Sequence, residues 1–125
     1  ATEIDGDLVS VIREKAKSRG LTNLSAVMGT RTDSGLDEGC CDAVVLRMVY
    51  HQFDHPEEMM ADIYRSLRPG GLLAVVEWDR SSFGPHGYGP EGLAERLARS
   101  GFEEVEVVKG WIGNAPQYCA VFKRP

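Results

Sequence analysis

The residues best placed to do chemistry gather where one apolar run stops. Ala43-Val44-Val45-Leu46-Arg47-Met48-Val49 leads directly into Tyr50, His51, Gln52 and Phe53. If the run is a strand of a parallel sheet, Tyr50 and His51 stand just past its carboxyl end, where open α/β sheets bind ligands. A histidine in that position can accept a proton from a bound molecule. The alternative is that Tyr50 and His51 line or cap a pocket and take no part in a reaction. Arg47 is the one charge within the run, and a charge on a covered strand must meet a carboxylate or project into a cleft. Its partner is a substrate or cofactor carboxylate in one reading. In the other it is Glu77 or Asp79, at the end of a neighbouring strand.

Other reactive side chains carry less. His51 and His55 lie four apart with Asp54 between them, but Pro56 opens a helix, so both histidines fall in a turn rather than on one helical face. No metal site is expected. Cys40 and Cys41 are neighbours and Cys119 stands apart, an odd count of three without CxxC spacing. That pattern fits no disulfide framework and points to a reducing, cytoplasmic setting. His86, in Gly84-Pro85-His86-Gly87-Tyr88, is either a lid residue over the same cleft or an ordinary loop histidine. Met48, Met59 and Met60 read as core filling.

The elements that must position these residues follow from hydrophobic periodicity, which alternates between helical and strand patterns, as in an α/β domain. Helices are expected over residues 7–19, with Leu8, Ile12 and Ala16 at four-residue spacing, over 56–67, with Met59, Met60, Ile63 and Leu67 on one face, and over 90–100, burying Leu93 and Leu97. Strands are expected over 24–28, 43–49, 72–78, 105–108 and 118–122, the last two as an antiparallel hairpin at one edge. The continuous apolar runs at 43–46 and 72–76 suit central parallel strands covered on both faces, so Val44 to Leu46, Val75 and Val76 should be among the most buried residues. The Gly, Pro and Ser-rich stretch 81–90 reads as a loop.

The 125 residues carry a net charge of -5 with 42% hydrophobic and 26% charged side chains, which describes one soluble domain over 1–125. Acidic and basic residues are interspersed without a basic stripe, so nucleic acid is a poor partner. No apolar run approaches the ~20 residues of a membrane span, and no membrane role is expected. The opening Ala-Thr-Glu-Ile-Asp carries no secretory signal and reads as a cut end.

Several phrases together resemble the class I S-adenosylmethionine-dependent methyltransferases, in particular the small-molecule, quinone-biosynthesis-like branch. Asp42 to Phe53 is similar to that family's fourth strand and the turn after it. Leu67-Arg68-Pro69-Gly70-Gly71 before the run Leu72 to Glu77 is similar to its helix-to-strand junction; the glycine pair permits the tight reversal and reports fold rather than chemistry. Ser100-Gly101-Phe102, Glu103 to Val108 and Gln117 to Lys123 resemble its closing helix and last two strands.

The resemblance implies a three-layer αβα Rossmann-like fold, truncated at its start, a mostly parallel sheet with an antiparallel final strand, and, for the parent protein, methyl transfer from S-adenosylmethionine to a small-molecule acceptor, with this fragment expected to be impaired in it. Glu3 matches the acidic end of the second strand, where a carboxylate offers two acceptor oxygens to the ribose diol, and Ile4 lies against adenine. The Gly-Asp pair usual after the third strand reads Gly29-Thr30 here, so adenine would be met by Thr30 or by the Arg31 backbone. Arg47 is assigned to the cofactor, and His51 with Tyr50 to the acceptor. Glu3, Thr30, Arg31, Arg47 and His51 should therefore cluster at one edge of the sheet.

The family's first strand and glycine-rich loop precede anything in this sequence. In a sheet ordered 3-2-1-4-5-7-6 their absence leaves a vacancy between the second and fourth strands, bordered by unpaired backbone. Two outcomes are expected: an additional segment fills the vacancy, or the edges pair with a second copy in a homodimer. The second is the alternative function, a dimerising methyltransferase-like module that binds no cofactor. A nicotinamide-binding Rossmann domain fits the acidic strand end but neither the Leu-Arg-Pro-Gly-Gly junction nor the closing hairpin.

Overall fold

A computed structural model describes residues 1–80, 89–110 and 116–125. Six strands and three helices follow in the order β1 (Thr2–Glu3), α1 (Gly6–Ser18), β2 (Val27–Met28), β3 (Cys41–Arg47), α2 (Pro56–Ser66), β4 (Leu67–Trp78), α3 (Pro90–Arg99), β5 (Glu103–Lys109) and β6 (Gln117–Lys123). A single 3-10 turn, Tyr50–Gln52, joins β3 to α2.

Local chemistry accounts for the helix ends. The Asp5 carboxylate caps α1 by accepting from the backbone N–H groups of Asp7 and Leu8. Pro56 occupies the first turn of α2, where its missing N–H is not needed. Leu67 then takes an extended conformation (ψ 144°), ending α2. Gly70 reverses the chain at φ +80°, a conformation that a side chain disfavours. The Arg124 guanidinium donates to the carbonyls of Tyr64 and Leu67, satisfying acceptors that the end of α2 leaves open.

The strands form two sheets. β1 and β2 pair in parallel as one, and the other has the order β3-β4-β6-β5, with β3 and β4 parallel and β6 antiparallel to both β4 and β5. This is the expected order with a vacancy between β1 and β3. The register sets Leu73, Val75 and Glu77 opposite Phe122, Ala120 and Tyr118, so these six share one face. Leu46, opposite Val75, joins them. Met60 and Ile63 of α2 and Leu93 and Leu97 of α3 pack on that face to make the core. α1 packs instead against β1 and β2.

Two burial expectations are corrected. Val75 and Val76 are buried, but Val45 is 66% exposed and Val44 only half-buried. Val45 points to the face opposite the core, on a strand with one unpaired edge, and nothing described covers it there. On α1 the buried line is Val9 and Ala16, with Ile12 partly covered, whereas Leu8 is exposed. The inward stripe is thus displaced by one residue at its start.

The β1–β2 pair is tied to the main sheet through buried Ser34. Its backbone N–H and hydroxyl donate to Asp62 Oδ2 on α2, at 2.8 and 2.5 Å, and its carbonyl accepts from the Thr2 hydroxyl. Asp62 is consequently held below the ordinary carboxylate range: burial opposes its charge, but the Ser34 bonds and Arg65 outweigh that penalty.

Candidate functional site

A cleft of about 710 Å³ occupies the vacancy between β1 and β3. Glu3 and Ile4 at the end of β1, and Gly29, Thr30 and Arg31 after β2, form one wall; Ala43 to Leu46 of β3, followed by Val49, Gln52, Phe53 and Asp54, form the other. The cleft therefore opens at the carboxyl ends of parallel strands.

Glu3 has one oxygen committed and one available. Oε1 accepts from the N–H groups of Ile4 and Asp5, at 2.8 and 3.1 Å, and so helps shape the turn into α1. Among the described residues Oε2 has no partner. Ile4 beside it is 52% exposed, an apolar surface in the same wall. The Thr30 hydroxyl is turned back on its own loop, accepting from the N–H groups of Thr32 and Asp33. Arg31 reaches across the mouth to Asp54 at 3.3 Å, both side chains being largely solvent-exposed.

Past β3 the chain turns sharply at Met48, whose φ of +57° is unusual for a residue with a side chain. Its N–H donates to Val76 O and its carbonyl accepts from Gln52 Nε2, so the turn is held from both sides. The turn brings His51 to Glu77 at the end of β4. The ring Nδ1 lies 2.9 Å from Oε2 and 3.0 Å from Oε1, and the His51 N–H donates to Oε1 at 3.2 Å. Glu77 is 3% exposed, whereas the His51 side chain keeps 29% of its surface. Tyr118 stands opposite Glu77 on β6, and burial, with the Glu77 charge adding to it, pushes its hydroxyl well above the ordinary phenol range. Tyr118 is therefore no proton acceptor near neutral pH.

Of the residues singled out from sequence, Glu3, Ile4, Thr30 and Arg31 share the cleft wall. Arg47 and His51 flank the cleft without forming its lining. Arg47 is exposed on the face of β3 opposite Leu46 and makes no ion pair among the described residues; of its two candidate internal partners, Glu77 and Asp79, Glu77 is bound to His51 instead. Tyr50 is buried in the core, edge-on to Phe53. His55 pairs with Glu58 at 3.5 Å, and among the described residues no three His, Cys, Asp or Glu side chains come together as a metal site. All three cysteines are free. His86 lies outside the described residues. Sequence reasoning missed Glu77 as the histidine's partner, although an acidic residue closing an apolar strand was a signal that it needed one.

Comparison with known proteins gives a consistent picture. The family profile described as "Methyltransferase domain" matches residues 1–75. Demethylmenaquinone methyltransferase of Thermus thermophilus is 30% identical over 90 residues, 72% of this chain and 38% of that protein. A ubiquinone/menaquinone biosynthesis C-methyltransferase of Erwinia tasmaniensis is 25% identical over 84 residues, 66% of this chain and 34% of that one. The chain thus spans little more than a third of the length of these relatives. Among solved structures, a SAM-dependent methyltransferase from Aquifex aeolicus superposes with a TM-score of 0.86 at 18% identity, covering 98% of this chain and 66% of that one. The cyclase SpnF superposes at 0.83 with 16% identity, covering 98% and 64%. Likeness at that identity shows a shared Rossmann-like fold, which is found in a methyltransferase and in a cyclase alike.

Proposed function

The chain belongs to the methyltransferase-domain family, of the class I S-adenosylmethionine-dependent kind, and from that premise we propose that it serves methyl transfer to a small-molecule acceptor, with the cofactor's adenosine half in the cleft between β1 and β3. The observation that carries this reading is Glu3 Oε2, without a partner among the described residues, beside exposed Ile4 at the carboxyl end of β1. A carboxylate oxygen accepts from a sugar hydroxyl and an apolar side chain covers a base, so the wall fits adenosine. Thr30 and Arg31 are assigned to the adenine edge, while Arg47, exposed just past the lining residues of β3, is left for the cofactor's carboxylate or a substrate anion at the rim. The similarity to methyltransferases of menaquinone and ubiquinone biosynthesis favours a quinone precursor as acceptor.

Bound S-adenosylmethionine supplies an electrophilic methyl group on a sulfonium, which departs as a neutral thioether. What remains for the protein is orientation, exclusion of water, and disposal of the proton that the acceptor atom releases. His51 takes that proton. Tyr50, sealed in the core, fixes the turn from which His51 projects.

Calorimetric titration with S-adenosylmethionine tests the assignment. Wild-type chain should release heat on binding, and Glu3→Ala should weaken it by about 10- to 100-fold, since a hydrogen bond to a charged group contributes ~1.5–3 kcal/mol. Heat unchanged in the variant removes Glu3 from the site. No heat from the wild-type chain, accompanied by a dimer in sedimentation, favours the cofactor-free dimerising module instead.

A further inference from the structure

We infer that Glu77 is a positioning residue for His51: it holds the imidazole as the Nδ1–H tautomer and so presents Nε2 as the proton acceptor. The inference rests on the reading of His51 as the base, but it can be tested independently.

Three observations carry it. First, among the described residues Glu77 accepts from His51, with the ring Nδ1 near both oxygens and the backbone N–H on Oε1. A carboxylate 3% exposed needs donors, and a deprotonated Nδ1 would face its oxygens with a lone pair. The proton is therefore on Nδ1. Second, Nε2 has no partner among the described residues and the ring keeps 29% of its side-chain surface, so the nitrogen left with a lone pair is accessible. Third, the approach is built by a backbone conformation that would not persist unaided. Met48 at φ +57° is braced by Val76 O and Gln52 Nε2, and this turn aims the histidine at the next strand. Among the described residues no cationic side chain of Lys or Arg pairs with the carboxylate.

When the acceptor's X–H bond breaks, its proton passes to Nε2 and its electron pair is left for the methyl group that bound S-adenosylmethionine would supply, whose carbon–sulfur bond would break to give the neutral thioether. His51 becomes an imidazolium whose Nδ1–H still faces the Glu77 charge, which stabilises it.

Glu77→Gln separates positioning from packing. The single amide oxygen is claimed by the His51 backbone N–H, which turns the NH2 toward Nδ1 and forces the Nε2–H tautomer. Nitrogen-15 NMR of the neutral imidazole in the 125-residue chain reads this directly, with His51→Asn assigning the signal. Wild type should show a protonated Nδ1 and a pyridine-type Nε2, and Glu77→Gln should exchange the two. Where methyl transfer is measured, the variant should lose on the order of 10²-fold or more in kcat, the share typical of a positioned base. A wild-type Nε2–H tautomer overturns the inference, whether or not any variant folds. So does an unchanged tautomer in Glu77→Gln. Failure of cofactor binding leaves this measurement intact, so the two readings fall separately.

Discussion

Removing the Asp62 carboxylate should free one sheet from the other. Asp62→Ala deletes the acceptor for both the Ser34 N–H and the Ser34 hydroxyl, at 2.8 and 2.5 Å, and leaves a buried N–H without a partner. Hydrogen bonds to a charged group contribute ~1.5–3 kcal/mol each and are not additive when they share one oxygen, so about 3 kcal/mol is expected for the pair. The loss should be local. β1 and β2 share no hydrogen bonds with the larger sheet, and Ser34 is also the residue whose carbonyl holds Thr2. Opening of this unit should rise about 100-fold, at 1.4 kcal/mol per decade. Hydrogen exchange followed by mass spectrometry reads it: amides of residues 27–35 lose protection, while β4 and β6 keep theirs. Equal protection in variant and wild type would refute the tether, and a uniform loss through β4 would refute its locality.

Two further outcomes follow from named contacts. Asp62→Asn should narrow its stability deficit as pH falls: the folded carboxyl is held below 3.8, so its contribution is whole above that value and disappears as pH drops through the folded value, which urea unfolding at pH 7 and near pH 3 compares. Arg124→Ala should lower stability by about 2 kcal/mol in the same assay, because the carbonyls of Tyr64 and Leu67 lose their donor at the end of α2; a deficit under about 0.5 kcal/mol would mean that water replaces the guanidinium there.

Much of this architecture is written locally. Asp5 two residues before Asp7 and Pro56 ahead of a methionine-lined stripe each fix a helix start within four residues, and Leu67-Arg68-Pro69-Gly70-Gly71 confines the reversal after α2 to one short phrase that Arg124 then secures. The helices accordingly begin and end within a residue of their expected bounds. The expected strand at 24–28 shortens to Val27–Met28, since its neighbour β1 offers only two residues to pair. The family phrases were legible for the same reason: a turn that must reverse a chain in two residues restricts which residues it accepts.

The cleft and the dyad were decided elsewhere. Glu77 is 26 residues from His51, and only the turn at Met48 and the parallel register of β3 on β4 bring the ring to the carboxylate rather than Arg47 to it. Val45 is as apolar as Val75, yet one is 66% exposed and the other buried, because burial belongs to the neighbours that pack over a strand and not to the strand. Arg31 meeting Asp54, and Ser34 meeting Asp62, are likewise products of how two sheets are held apart and tied. Periodicity and capping act over a few residues along the chain, so sequence alone determined the elements and their order. Register, edge vacancy and the pairing of distant charges exist only once strands lie side by side, so tertiary structure alone chose which side chains face one another.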